Sequence, residues 1–181
     1  ERPARVDVLN ADEIGRILAS IDQTDPKGLR NMAIVVKLLD TGLRLAELVS
    51  LKLGDARIEQ GYLKVMGKGS RERMVPVGVS TQRLLLRYIY QARPETSRAD
   101  VGNLFLADAG TPLTINCVRL MLERLGRQSG VPRLHAHLCR RTSASNYPLR
   151  GASCPRLGNL GFRWSRPLML IRSLSRSHDH L

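Results

Sequence analysis

Aromatic side chains are scarce in this sequence, with two Phe, four Tyr and one Trp among 181 residues. No ribonucleoprotein-type box of stacking aromatics is written into it, which disfavours an RNA-binding or ribosome-associated basic protein. Cysteine is nearly absent too. Cys117, Cys139 and Cys154 form no C-x-x-C pair and leave one over, so a disulfide or zinc framework is excluded and a reducing compartment is implied. No run of about 18 uncharged apolar residues occurs, and the opening Glu1-Arg2-Pro3 has no signal-peptide shape. The expectation is a cytoplasmic protein that makes no use of a membrane. A phosphate-cradling P-loop is also missing, because Tyr62 stands where the first glycine of G-x-x-x-x-G-K-[ST] belongs and Gly69 follows Lys68.

Acidic residues run out toward the C-terminus, and that deficit defines the charge. The formal net charge is +13, with a pI near 10.8. Residues 131–181 carry nine arginines against the single acid Asp179, or +8, whereas residues 1–130 carry 20 basic and 15 acidic side chains, or +5. Such a balance makes nucleic acid the first partner to consider. A basic tail taken alone would equally suit a non-specific nucleic-acid arm or a ribosomal-type extension.

A hydrophobic fraction of 43% over this length suits one core and one domain. Asn10-Ala11-Asp12-Glu13 reads as a capping box, and Ile14, Ile17, Leu18 and Ile21 then recur at helical spacing, predicting a helix over 11–21. Residues 29–40 are apolar on almost every side, as in a buried helix, with Gly42 as its stop. Residues 56–59, 62–66 and 73–77 read as three short antiparallel strands, the last two joined by the flexible tip Gly67-Lys68-Gly69-Ser70. Ser80 is the expected cap of a helix reaching Gln91, in which Tyr88 and Tyr90 serve as core and rim aromatics. Thr114 caps a further helix that turns Val118, Met121, Leu122 and Leu125 inward. The expected fold class is mainly α with a small three-stranded antiparallel sheet, α+β.

Two clusters carry chemistry. In Thr41-Gly42-Leu43-Arg44-Leu45-Ala46-Glu47-Leu48, a guanidinium and a carboxylate three residues apart face the same way, so the acid can hold the arginine in one orientation. Its plainer reading is a surface ion pair of little energetic weight. In His135-Ala136-His137-Leu138-Cys139-Arg140-Arg141-Thr142, His137 and Arg140 share a helix face, placing a tunable proton beside a fixed cation. His135 and His137 could also bind a metal, but no third ligand follows at usable spacing. Lys68 on its glycine tip reads either as a ligand-reaching cation or as a solvated hairpin lysine. Taken together, the Thr41–Leu48 stretch, the Gly67–Val77 stretch and the His-x-x-Arg box resemble the catalytic domain of the tyrosine recombinase, or phage integrase, family.

That resemblance implies site-specific DNA recombination or integration by strand breakage and rejoining through a phosphotyrosyl intermediate, with no metal and no cofactor. Arg44 and Arg140 would clamp the non-bridging phosphate oxygens, Lys68 would protonate the leaving 5′-oxygen, His137 would assist and Glu47 would orient Arg44. The implied partners are double-stranded DNA and further copies assembled on it. The implied division is a linker at 1–9 that follows a separate DNA-clamping domain, a catalytic core at 10–152 and an atypical basic tail at 153–181.

The resemblance stops after Gly151-Ala152. Counting about 35 residues from His137, where the family places its nucleophile, reaches Arg172, and no tyrosine follows Tyr147. Trp164 falls near the position of a third site residue, for which the family uses His or Trp. Residues 153–181 hold six Leu, five Ser and five Arg, the three amino acids with six codons each, and no Lys, Glu or Val. A truncated or inactive copy with an out-of-frame or foreign tail is expected, and the alternative is a non-cleaving DNA-binding module that grips phosphates with the same arginine pocket and the basic tail. Incubation with a nicked suicide duplex should therefore yield no SDS-resistant protein–DNA band. A band that vanishes on mutating Tyr62, Tyr88, Tyr90 or Tyr147 would identify a nucleophile and overturn this expectation.

Overall fold

The computed structural model describes residues 7–67 and 71–146. Lys68, Tyr147, Trp164 and the 153–181 tail lie outside them.

Among the described residues, six α-helices and one sheet follow in the order α1 (Ala11–Ala19), α2 (Pro26–Thr41), α3 (Leu45–Ser50), β1 (Ala56–Arg57), β2 (Tyr62–Met66), β3 (Glu72–Pro76), α4 (Val79–Gln91), α5 (Ile115–Gln128) and α6 (Ala136–Asn146), with a short 3-10 turn at Leu53–Asp55 between α3 and β1. The α+β class expected from the pattern is the one observed. The predicted capping box closes α1 through Glu13 N–H to Asn10 Oδ1 and Asn10 N–H to Glu13 Oε2, both at 2.9 Å. Thr114 caps α5 as read, accepting from Cys117 N–H.

Helix α2 is the axis of the domain, packed against α4 and α6. It starts earlier than the apolar run suggested, because Asp25 caps it through Gly28 N–H and Pro26 occupies its first turn. From Asn31 to Asp40 every residue is buried, the polar ones included. Asp40 accepts from Thr81 Oγ1 at 3.2 Å, tying α2 to α4. The expected cap at Ser80 is corrected by this geometry: Gly78 occupies the N-cap in extended conformation and Ser80 lies within the first turn.

The sheet has the order β1-β2-β3 and is antiparallel throughout, with Leu63 opposite Val75 and Val65 opposite Arg73. The first strand is two residues shorter than predicted, because Ile58 turns into the core and Gly61, at φ 79°, closes a tight turn by donating to Ile58 O. The third begins and ends one residue earlier than read. Residues 103–106 are held by side chains: Arg93 donates to the Asn103 and Leu104 carbonyls, Arg30 to Leu106 O, and Leu106 N–H donates to the Tyr88 hydroxyl. Of the segment read as a linker, residues 7–9 are described. Leu9 is buried and its N–H donates to Thr142 Oγ1, while Asp7 pairs with Arg133.

One residue on α2 runs against its surroundings. Lys37 is fully buried, and among the described residues its Nζ meets no hydrogen-bond acceptor. Burial pushes its ammonium down to about 7, with the Asp40 charge acting in the opposite direction. The unfolded chain holds that proton up to about pH 10.4, so between about 7 and that value the native state binds fewer protons and stability rises with pH. The Lys37→Met variant keeps the aliphatic stem and removes the charge. It should be more stable than the parent at pH 6 by about 1–4 kcal/mol, with the gap narrowing toward pH 10. Denaturant melts across that range check this, and parallel curves would contradict it.

Candidate functional site

The site begins where α2 ends. Gly42 adopts the left-handed conformation, φ 60° and ψ 31°, and its N–H closes the helix on Leu38 O at 2.9 Å. Leu43 then plunges into the core, so Arg44 is delivered outward at the N-cap of α3. An arginine has no acceptor with which to cap a helix. Glu47 supplies the other half of a capping box by accepting from Arg44 N–H at 2.9 Å through Oε2, and its Oε1 accepts from Arg44 Nη1 at 3.2 Å.

Glu47 has a second and closer partner. Arg73 on β3 donates Nη1 to Oε1 at 3.0 Å and Nη2 to Oε2 at 2.8 Å, a bidentate fork. The carboxylate is 6% exposed, while Arg44 and Arg73 are 59% and 40% exposed. Burial alone would raise the Glu47 carboxyl; the Arg73 fork, the Arg44 N–H, the Arg73 charge and the Arg44 side-chain hydrogen bond outweigh it and hold the group below the usual range. Arg73 did not figure among the sequence-derived site residues. Its signal was present, since it lies two positions before the buried Val75 and opposite the buried Val65, a core-facing register unusual for an arginine.

Helix α6 brings the second cluster to the same turn. Arg140 Nη1 donates to Gly42 O at 2.6 Å, and Ser143 Oγ donates to Asp40 O at 3.4 Å. Among the described residues no carboxylate pairs with Arg140. A guanidinium steadied by a neutral carbonyl keeps its full charge for an incoming anion. Two guanidiniums, Arg44 and Arg73, thus share one carboxylate, and a third, Arg140, is bonded to the carbonyl two residues before Arg44.

His137 is exposed in the first turn of α6. His135 precedes that helix and caps it, its Nδ1 accepting from Leu138 N–H at 3.3 Å. The two imidazoles lie nearly parallel, 6.4 Å between centroids, rather than converging on one point. Cys139, between His137 and Arg140 in the box, is a buried core side chain whose thiol burial pushes up to about 12. Tyr88 is stacked on Phe105 with its hydroxyl engaged, and burial raises its phenol further from ionisation. It behaves as the core aromatic expected, and Tyr90 lies exposed on α4. Of the sequence-derived site residues, then, the structure gathers Arg44, Glu47 and Arg140 around the Gly42 turn and places His137 on the helix that carries Arg140. Lys68 and Trp164 lie outside the described residues.

Comparison with known proteins bears on what this geometry serves. The profile of the phage integrase family matches residues 7–161. The tyrosine recombinase XerD of Listeria monocytogenes is 35% identical over 148 residues, which cover 80% of this chain and 50% of that protein. The chain spans about half the length of the curated relatives it matches. Among solved structures, the XerH site-specific recombinase bound to its difH substrate in a pre-cleavage complex is 26% identical, with a TM-score of 0.66 over 81% of this chain and 44% of that one. The XerA recombinase superposes with a TM-score of 0.68 at 23% identity, covering 84% and 55% of the two chains.

The Gly42 turn predicts its own sensitivity. A Cβ there would sit 3.2 Å from the Ser143 side chain and 3.5 Å from Arg140 Cγ, in a left-handed backbone that L-residues avoid. Gly42→Ala should cost about 1–2 kcal/mol from backbone strain alone and loosen α6 from α2. Thermal melts and amide exchange at Arg140 and Ser143 check this. Unchanged stability would mean that the turn is not the junction described.

Proposed function

Because the chain belongs to the phage integrase family, we propose that it is the catalytic-domain portion of a site-specific tyrosine recombinase, one that grips duplex DNA at its phosphates. The observation that carries this reading is the pairing of two arginines at one turn. Arg44 leaves the turn and Arg140 is anchored on the carbonyl two residues before it. Residues 10–152 form the catalytic core in this reading, with 153–181 a basic extension to it.

The chemistry that such a pocket serves is phosphoryl transfer. A tyrosine hydroxyl attacks phosphorus, the 5′-oxygen departs with a proton, and the 3′-phosphotyrosyl bond is later reversed by another strand's 5′-hydroxyl. Negative charge builds on the non-bridging oxygens of the transition state. Arg44 and Arg140 neutralise it, Glu47 keeps Arg44 in place, His137 hydrogen-bonds an oxygen, and Lys68 protonates the leaving group. Trp164 is assigned a supporting contact at the same phosphate.

A second reading is favoured by one observation, that Arg172 stands where the family's nucleophile is counted. The chain then binds DNA through the recombinase pocket and basic tail without breaking it. Both readings place the protein with bacterial DNA in the cytoplasm, where several copies on one site would bring two duplexes together. No described helix is long and apolar enough to cross a membrane.

DNA affinity separates this proposal from a merely basic fold. Binding to a fluorescein-labelled duplex should fall by orders of magnitude between about 50 and 200 mM salt, each neutralised phosphate adding roughly 0.9 to the log–log slope. Arg44→Gln and Arg140→Gln should each lower that slope by about one phosphate. A flat salt response, or slopes that neither variant alters, would refute the phosphate grip.

A further inference from the structure

Glu47 is saturated. A carboxylate offers about four lone-pair sites, and all four are taken here: Oε1 accepts from Arg44 Nη1 and Arg73 Nη1, while Oε2 accepts from Arg44 N–H and Arg73 Nη2. The sharing is unequal. Arg73 holds both oxygens at 3.0 and 2.8 Å, whereas the Arg44 side chain reaches one of them at 3.2 Å. Arg73 is also seated from behind. A Cβ on Gly67, the last described residue of β2's hairpin, would lie 3.0 Å from Arg73 Nη1, so that guanidinium rests directly against backbone.

An arginine and a carboxylate left to themselves form a bidentate pair. Arg44 could do so with Glu47 only if a pair of lone-pair sites were open, and the Arg73 fork occupies them. The charges follow the same logic, because one carboxylate shared by Arg73 and Arg44 cannot neutralise both and the trio keeps a net positive charge. We propose that Arg73 is a positioning residue for Arg44: by filling Glu47 it prevents Arg44 from folding back onto the carboxylate and keeps its guanidinium presented to a DNA phosphate. This rests on the phosphate-gripping reading of Arg44 above. Without Arg73, Arg44 swings into the vacated sites, neutralises itself against Glu47 and is lost to DNA.

The test is a double-mutant cycle on the full chain with a fluorescein-labelled duplex at 100 mM salt, run well below the melting midpoint of every variant, which is measured alongside. Arg44→Gln and Arg73→Gln should each weaken binding by a similar factor, roughly three- to tenfold. The double variant should be no weaker than Arg44→Gln alone, since Arg73 acts only through Arg44. Arg73→Lys, which can hold one oxygen but not both, should restore part of the affinity. In the free protein, the Arg44 Nε–H resonance, assigned by its loss in Arg44→Gln, should shift in Arg73→Gln. If the two losses multiply in the double variant, Arg73 touches phosphate itself and the positioning role is overturned. If Arg44→Gln weakens binding while Arg73→Gln leaves it unchanged, the proposal fails and the phosphate grip stands. If Arg44→Gln has no effect on affinity or salt slope, the phosphate-gripping reading fails, and the positioning role with it.

Discussion

A single backbone carbonyl joins the parts of this site. Gly42 O faces α6 because the residue is left-handed, and there it receives the Arg140 guanidinium at 2.6 Å. A hydrogen bond to a charged donor is worth about 1.5–3 kcal/mol, more than most contacts between helix ends. The same reversal turns the chain out of the core and sets Arg44 at the start of α3. Because α2 is buried along ten consecutive residues, the turn at its end has a rigid foundation. Two cations far apart in sequence are thereby referred to one point of backbone rather than to mobile side chains, which is the precision an anion site needs.

The electrostatics follow an inward anion and outward cations. Glu47 is nearly buried, and it stays ionised because four donors satisfy it. Its arginines are half exposed and stay charged in any case. The arrangement stabilises a positive surface from below, and it does so without a metal ligand set among the described residues. The strongly basic composition is only partly directed outward. Arg30 and Arg93 bond main-chain carbonyls of the 103–106 segment, and Arg133 holds Asp7, Glu13 and the Val8 carbonyl. Those arginines brace the fold, so net charge by itself overstates the surface offered to DNA.

Local chemistry made a good part of this legible in the residues. The capping box at Asn10, the glycine stop at Gly42, the cap at Thr114 and the period-two strands are each decided within a few positions of chain, by hydrogen bonds and side-chain direction that neighbours settle among themselves. The Arg44–Glu47 pairing belongs to the same class, since three residues separate its members. Ser80 misled for the same local reason: a serine looks like a cap anywhere, and the entry of the chain from β3 through Gly78 overrode it.

What the sequence alone determined, then, was the set of elements and the presence of two cationic clusters with a family's spacing. Tertiary structure decided their relation: that Arg140 leans on Gly42, that Arg73 rather than Arg44 is the principal partner of Glu47, and that Lys37 is buried with no hydrogen-bond acceptor for its Nζ among the described residues. Each of these joins or isolates groups across separate elements. Their geometry depends on how helices and sheet pack, and packing is a property of the whole core that no local window of residues contains.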